Sequence, residues 1–407
     1  MVGSSEVRET CLLSFSPLDR DPRVFRQALA LRNHYGVMAV GYGRLGLGGV
    51  RTYSINKRKS KNMDLKLISA MLLGFGRLIP SLNELYGRMN SDYMEMLEFC
   101  LGNRFDVYHA NDPEALPIAV KAARRWKAKV VYDAHEYSPD NVVSRIAPER
   151  LFTSYYTWIL QNYRPDVHAM STVSPGIAAL YRERFSLNPT IILNAASYEK
   201  LPFNPVRRDQ IRLVHHGKAS TRRNLEKMID LMTLLDKRFS LTFYLVSDSH
   251  DKYLWRLEKM ARRKAPNRVF FKDAVDMRYI SRELNQYDIG IFLLPWRNMN
   301  QKFVLPNKFF EFIMAGLAIF IGPSPEMAQY VKAHECGWIN DSFDLRDCAV
   351  KLNALTAGEV EKRKTKSLEA AKCLNAEVEG KKLLSIYATL CGEEKEKRIL
   401  PLIGATG

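Results

Sequence analysis

At 407 residues the chain is too long for one comfortable hydrophobic core and suits two domains of ordinary size. Hydrophobic residues at 46% and charged residues at 26% exclude a largely disordered chain and describe a packed one. The formal net charge of +17 draws a protein towards polyanions, either nucleic acid or the anionic face of a membrane, and does not choose between them.

Six cysteines, Cys11, Cys100, Cys336, Cys348, Cys373 and Cys391, are scattered without a CxxC pair or a neighbouring His at metal spacing. That pattern suggests neither a disulfide framework nor a zinc site and fits a reducing compartment. The N-terminus lacks a basic-then-apolar signal pattern, and no apolar segment approaches the ~20 residues that span a bilayer. A cytoplasmic protein is therefore expected.

In chain order, apolar runs of strand length alternate with helical patterns, the signature of a parallel sheet covered by helices. "ETCLLSF" (9–15) reads as a first strand and "DPRVFRQALALRNHY" (21–35) as a helix with Pro22 in its first turn. Strands follow at "GVMAVGY" (36–42), "FDVYHAND" (105–112) and "AKVVYDAHE" (128–136), with a helix over 113–126 between the last two. "HAMSTVS" (168–174) and "TIILNA" (190–195) complete the first series. Between Arg44 and Lys66 lie seven basic residues against one acidic, followed by an amphipathic apolar stretch to residue 82. This segment reads either as an interfacial element for an anionic membrane or as a solvated loop before a packed helix.

A second series opens at "IRLVHHG" (211–217) and continues with a helix near 223–237. Strands follow at 241–247, 268–274, 288–294 and 318–323. The Pro- and charge-rich stretch 197–210 joins the two series, which predicts an α/β chain of two doubly wound domains with a ligand crevice at the carboxyl ends of the strands. The expected boundaries are 1–197, 198–380, a helix over 381–395 that crosses back to the first domain, and a tail over 396–407.

Taken in order, "DPRVFRQALALRNHYGVMAVGYG", "FDVYHANDPEALPIA", "VVYDAHE", "STVSPGIAALYRERF", "LNAAS", "HHGKASTRRNLEKMI", "YDIGIFLLPW" and "LPNKFFEFIMAGLAIF" resemble the GT-B-fold glycosyltransferases, specifically retaining glycosyltransferase family 4, also called glycosyl transferases group 1. The resemblance covers roughly residues 8–390. It implies two parallel-sheet domains facing across a cleft. It also implies transfer of a sugar from a nucleotide-diphosphate sugar to a saccharide or lipid-linked acceptor, with retention of anomeric configuration. No metal or other cofactor is implied, and the setting it suggests is cell-surface polysaccharide or glycolipid assembly.

The same resemblance assigns residues. Glu311 falls where the family's carboxylate accepts hydrogen bonds from the ribose hydroxyls, and Pro306, Asn307 and Lys308 shape the turn before its helix and face the donor. The other reading of Glu311 is a charge at a helix start. Lys218 and Arg223 match the basic residues that meet the donor phosphates, while Arg222 reads equally as a solvated helix start. His135, just past a strand end, matches the family's cleft histidine, with Asp133 or Glu136 available to orient its ring. His109 and Asp112 are either acceptor-side groups or a buried pair, and His168 reads as structural.

Asp19, Asp21 and Arg23 lie in a loop expected over the cleft, where Asp21 is the better helix cap and Arg23 stays open between acceptor and diphosphate. Ser174 reads as another cap. Many family members carry a further Glu at the position that Phe303 holds here, which leaves the sugar to Lys302 or to the backbone of 303–305. Two other function classes stay open: a UDP-sugar 2-epimerase of the same fold, and a non-catalytic basic protein for membrane or nucleic acid, the latter not accounting for the ordered cleft motifs.

Overall fold

The computed structural model describes residues 7–56, 63–140, 147–247 and 252–392. The expected tail and the basic run 57–62 lie outside them. Two sheets organise the chain. The first holds β1 (Glu9–Pro17), β2 (Gly36–Tyr42), β3 (Val50–Ser54), β4 (Val107–Asn111), β5 (Lys129–Ala134), β6 (Ala169–Thr172) and β7 (Thr190–Ile191), in the order β3-β2-β1-β4-β5-β6-β7. The second holds β8 (Ile211–Lys218), β9 (Phe239–Val246), β10 (Val269–Lys272), β11 (Ile289–Phe292), β12 (Ala318–Ile321) and β13 (Gly337–Ile339), in the order β10-β9-β8-β11-β12-β13.

Every ladder between these strands is parallel, as the α/β reading requires. The strand order reverses between β1 and β4 and again between β8 and β11, and such switch points open a crevice at the carboxyl ends.

The helices of the first half are α1 (Pro22–Leu31), α2 (Met63–Phe75), α3 (Ser81–Met89), α4 (Ser91–Gly102), α5 (Leu116–Trp126), α6 (Ala147–Tyr163) and α7 (Pro175–Phe185). Those of the second are α8 (Glu226–Leu234), α9 (Lys252–Lys264), α10 (Ile280–Leu284), α11 (Met299–Lys302), α12 (Asn307–Met314), α13 (Pro325–His334), α14 (Leu345–Asn353) and α15 (Ala357–Ala371), with α16 (Ala376–Cys391) last. Central strands such as β4, β11 and β12 are buried along their whole length, because helices cover both faces.

Several predicted elements are trimmed. The first helix stops at Leu31, and β7 is cut short because, after Ile192 N–H donates to Thr172 O at 2.8 Å, Leu193 N–H leaves the ladder for Glu379 Oε2 of α16 at 2.9 Å. The basic stretch, read as an interfacial element or a solvated loop, contains the edge strand β3, whose polar residues "VRTYS" hide an alternation. α16 packs on α1, where Gly380 brings the helix close to Ala30. Its Tyr387 hydroxyl sits 3.0 Å from both Thr10 Oγ1 and His109 Nδ1.

The seat of α12 follows from two glycines. A Cβ on Gly290 of β11 would meet the Phe312 ring at 2.4 Å, so only glycine lets the helix lie this close to the sheet. Gly316, at φ 67°, ends the helix in the left-handed conformation, with Leu317 N–H donating to Phe312 O at 3.0 Å in the manner of a Schellman cap. The helix N-terminus is thereby fixed at the mouth of the crevice.

Candidate active site between the two sheets

A cavity of about 500 Å³ opens between the halves, within the usual size range of small-molecule sites. His135, Lys218, Arg223, Asn307, Lys308 and Glu311 all line it. Segments as far apart in sequence as His135 and Glu311 thus meet in one cleft.

The basic groups gather around the end of β8. Gly217 has φ 128°, and a Cβ there would lie 2.5 Å from Arg223 Nη1 and 3.0 Å from Lys308 Nζ. Glycine is what lets two cations converge on one point above the strand. Arg223 ends a short 3-10 turn, Thr221–Arg223, capped by Ser220, and burial lowers its pKa. Burial together with the neighbouring Arg223 charge pushes the Lys308 ammonium well below its usual range, against the pull of Glu311. Lys308 Nζ lies 3.1 Å from His215 Nε2 and 5.3 Å from the centre of the Phe292 ring.

Arg222 is exposed and does not line the cavity. Such a cluster of cations next to a helix N-terminus is suited to a multiply charged anion.

Glu311 lies one turn into α12, with its Oε2 3.1 Å from Nε2 of His216. Burial lowers the His216 pKa despite that carboxylate, which favours the neutral ring. His216 is a cleft residue that the sequence reading passed over, although the "HHG" at the strand end offered a signal.

His135 is held by Asn194 rather than by Asp133. Asp133 is engaged by Gln27 Nε2 at 2.9 Å and Ser171 Oγ at 2.6 Å. Arg26 of α1 donates to Asn194 Oδ1 at 3.0 Å and to Asn307 Oδ1 at 3.2 Å. Because the Asn194 oxygen is occupied by a guanidinium, its Nδ2–H₂ faces His135 Nε2 at 3.1 Å, which makes that nitrogen the acceptor and puts the proton on Nδ1. Burial and the charge of Arg23 lower the His135 pKa, consistent with a neutral ring. Arg26, whose own pKa burial brings down to about 10, therefore ties the second half's Asn307 to the orientation of His135. Neither Arg26 nor Asn194 stood out in the sequence.

Other candidates are placed elsewhere. Arg23 is consumed in ion pairs, bidentate to Asp112 at 2.7 and 3.1 Å and 3.7 Å from Asp133, and it does not line the cleft; the exposed Arg20 does. His109 is fully buried under α16 on Tyr387 and does not reach the cleft, the outcome that fits the buried reading. Asp21 caps α1 through the amides of Arg23 and Val24, and Ser174 caps α7 through Ile177 N–H.

Asp112, at φ 66°, lines a second cavity of about 270 Å³ with Glu114, His135, Glu136 and Tyr156. Its carboxyl is held below the usual range, Arg23 outweighing the desolvation that would raise it. Burial and the Asp112 charge raise the Glu114 pKa, while Tyr156 donates to Glu114 at 2.5 Å.

Phe303 has a physical reason. Its ring lies against Gly176 of α7, where a Cβ would sit 2.2 Å away, and its carbonyl accepts from Ser174 Oγ at 2.9 Å. The position is thus a contact between the halves rather than a donor-facing group. Lys302 lies over Trp296 and Phe303, away from the cavity, whereas Val304 and Leu305 line it. Nearby, Asn300 bonds both Tyr137 N–H (2.6 Å) and Tyr137 O (3.0 Å), and Glu326 accepts from Gly176 N–H at 2.7 Å, so the halves are latched together on this side.

Residues 69–193 match the family model described as a glycosyl transferase 4-like domain. Among solved structures, HepE of Anabaena in complex with UDP superposes with a TM-score of 0.68 at 11% identity, covering 94% of this chain and all of that one (100%). Sucrose-phosphate synthase of Thermosynechococcus elongatus gives 0.69 at 14% identity over 95% and 100% of the two chains. A glycosyltransferase of Rickettsia africae gives 0.66 at 13% over 95% and 100%. No curated protein matches the sequence. The chain therefore has the GT-B fold of these glycosyltransferases and carries a glycosyl transferase 4-like domain over residues 69–193.

Proposed function

We propose that the chain is a retaining glycosyltransferase that moves a sugar from a nucleotide-diphosphate donor to a saccharide or lipid-linked acceptor on the cytoplasmic side of a membrane, in polysaccharide or glycolipid assembly. The observation that carries the reading is the convergence of Arg223 and Lys308 over Gly217, with Glu311 on the same cavity wall and His135 lining it from the other half. HepE, of the same fold, was solved with UDP, with UDP-glucose, and with UDP and glucose.

In this reading Glu311 accepts the ribose hydroxyls, and Lys218, Arg223 and Lys308 surround the diphosphate. The acceptor enters through the cavity of Asp112, Glu114 and Glu136 and presents a hydroxyl beside His135. That oxygen bonds to the anomeric carbon as the bond to the diphosphate breaks on the same face. The hydroxyl proton passes to the departing phosphate oxygen. Positioning and electrostatic stabilisation of the leaving group supply the rate, and the compensating charge comes from side chains, so turnover is expected to persist in EDTA.

The test is release of nucleoside diphosphate by the purified protein from UDP-, GDP-, ADP- and dTDP-sugars, with and without membrane lipid extract, beside Glu311→Ala. One donor turned over, dependent on Glu311 and stimulated by extract, supports the reading. Isomerisation of a donor without acceptor would assign a 2-epimerase instead, and no turnover of any donor would remove the enzymatic reading.

A further inference from the structure

The helix pair α2–α3 departs from the pattern of every other described helix layer in the first half. From Leu67 to Phe75 the sequence "LISAMLLGF" carries no charge, so this part of α2 is apolar on all sides, and a helical segment of that kind is ordinarily buried all round. Here only one side is covered: Leu73 is buried, and the helix packs on α3 and α6. Leu67, Ile68, Met71 and Phe75 face outward, and the turn after the helix adds Leu78 and Ile79, with Leu78 78% exposed. Six large apolar side chains are thus exposed within thirteen residues of chain, beyond what scattered surface residues account for.

The charge around this face is sparse and net positive. Over 63–83 the ionisable residues are Asp64, Lys66 and the exposed Arg77, the preceding run 57–61 adds four basic residues in sequence, and the next carboxylate, Glu84, is engaged by Lys121 and by Tyr163 at 2.9 Å. α2 has 13 residues, too few to cross a bilayer, and no described helix is long and apolar enough to do so. An uncharged apolar face with a cationic margin, too short to span, matches a helix lying in the plane of an anionic interface.

The location matters as much as the composition. α6, on which α2 rests, contributes Tyr156 to the wall of the cavity beside His135, and Tyr86 of α3 packs edge-on to Tyr155 of α6 with ring centres 5.0 Å apart.

We propose that the outward face of α2 and the turn Gly76–Ile79 is a monotopic docking surface for an anionic lipid bilayer, which brings the acceptor cavity to the membrane. The assignment of that cavity rests on the glycosyltransferase reading, whereas the docking face stands on its exposure and charge. A lipid-linked acceptor then reaches His135 across α6 without leaving the interface.

The experiment is co-sedimentation of the full chain with phosphatidylcholine vesicles containing or lacking phosphatidylglycerol, together with hydrogen exchange of 67–79. Wild-type protein is expected to bind the anionic vesicles and to gain protection over 67–79. Phe75→Glu and, separately, the milder Leu78→Ser are expected to weaken binding, the former by about tenfold or more, with melting temperature and donor affinity unchanged. Three results would overturn the proposal. They are no vesicle binding by wild type, binding unaffected by either substitution, or a self-association in solution that Phe75→Glu abolishes, which would assign the face to a second copy. Failure of donor binding with vesicle binding intact would instead count against the glycosyltransferase reading alone.

Discussion

Lys308 is a side chain whose chemistry the cleft alters strongly. Its ammonium, buried beside Arg223, has a pKa well below the ordinary lysine value. A bound diphosphate favours the charged form and raises that pKa, so binding takes up a proton at any pH between the free and bound values. The sign follows: donor affinity falls as pH rises above the depressed pKa, in a range where an ordinary lysine is still fully charged. Lys308→Arg is expected to remove this dependence, which titration of nucleotide affinity against pH will show. A second effect belongs to Asn194. Asn194→Asp keeps a partner for Arg26 but cannot donate to His135 Nε2, so the imidazole proton moves to that nitrogen and the ring pKa rises. Turnover is expected to fall by roughly 10²-fold while donor affinity holds, with the pH profile displaced upward. An unchanged profile would show that the Asn194 contact does not set the state of His135.

Among elements, α12 and α16 divide the work of placing and holding. Asn307, Lys308 and Glu311 were legible because they sit within one helix start, at positions i, i+1 and i+4, where sequence spacing and spatial neighbourhood coincide. Arg26, Asn194 and His216 were not, since α1, the segment after β7, and β8 meet only through the two-sheet topology. The same limit left His109 open between two readings: a strand end buried on both faces gives no sign of which layer will cover a polar residue, and the cover is α16. The short edge strands β3 and β13 escaped detection because three to five residues carry too little alternation. At α16 the Tyr387 hydroxyl joins Thr10 and His109 across nearly the full chain length. Tyr387→Phe leaves those groups without that partner in a dry interior and is expected to cost roughly 1–3 kcal/mol in denaturant unfolding. Nucleotide affinity should not change, because none of the three residues lines the cleft.

At the scale of the molecule, the two doubly wound sheets were evident from the alternation of apolar runs and helical patterns, and the parallel order confirms that class. What the alternation does not encode is the relation between the halves. Asn300 against Tyr137, Glu326 against Gly176 and Phe303 against Gly176 close one side of the cleft, while Arg26 of the first half donates to Asn307 of the second. The cleft is thus shaped by both halves, and its charge is cationic on the second half and acidic in the neighbouring cavity of the first. That polarity is the core of the functional account: diphosphate on one side, hydroxyl acceptor on the other. Calorimetric titration of the wild-type protein and Glu311→Ala with UDP, GDP, ADP and dTDP tests it most directly. One nucleotide is expected to bind the wild-type chain, and Glu311→Ala to weaken it by roughly tenfold to a hundredfold, the loss of charged hydrogen bonds to the ribose. Absence of binding by all four, or binding indifferent to Glu311, would contradict the account.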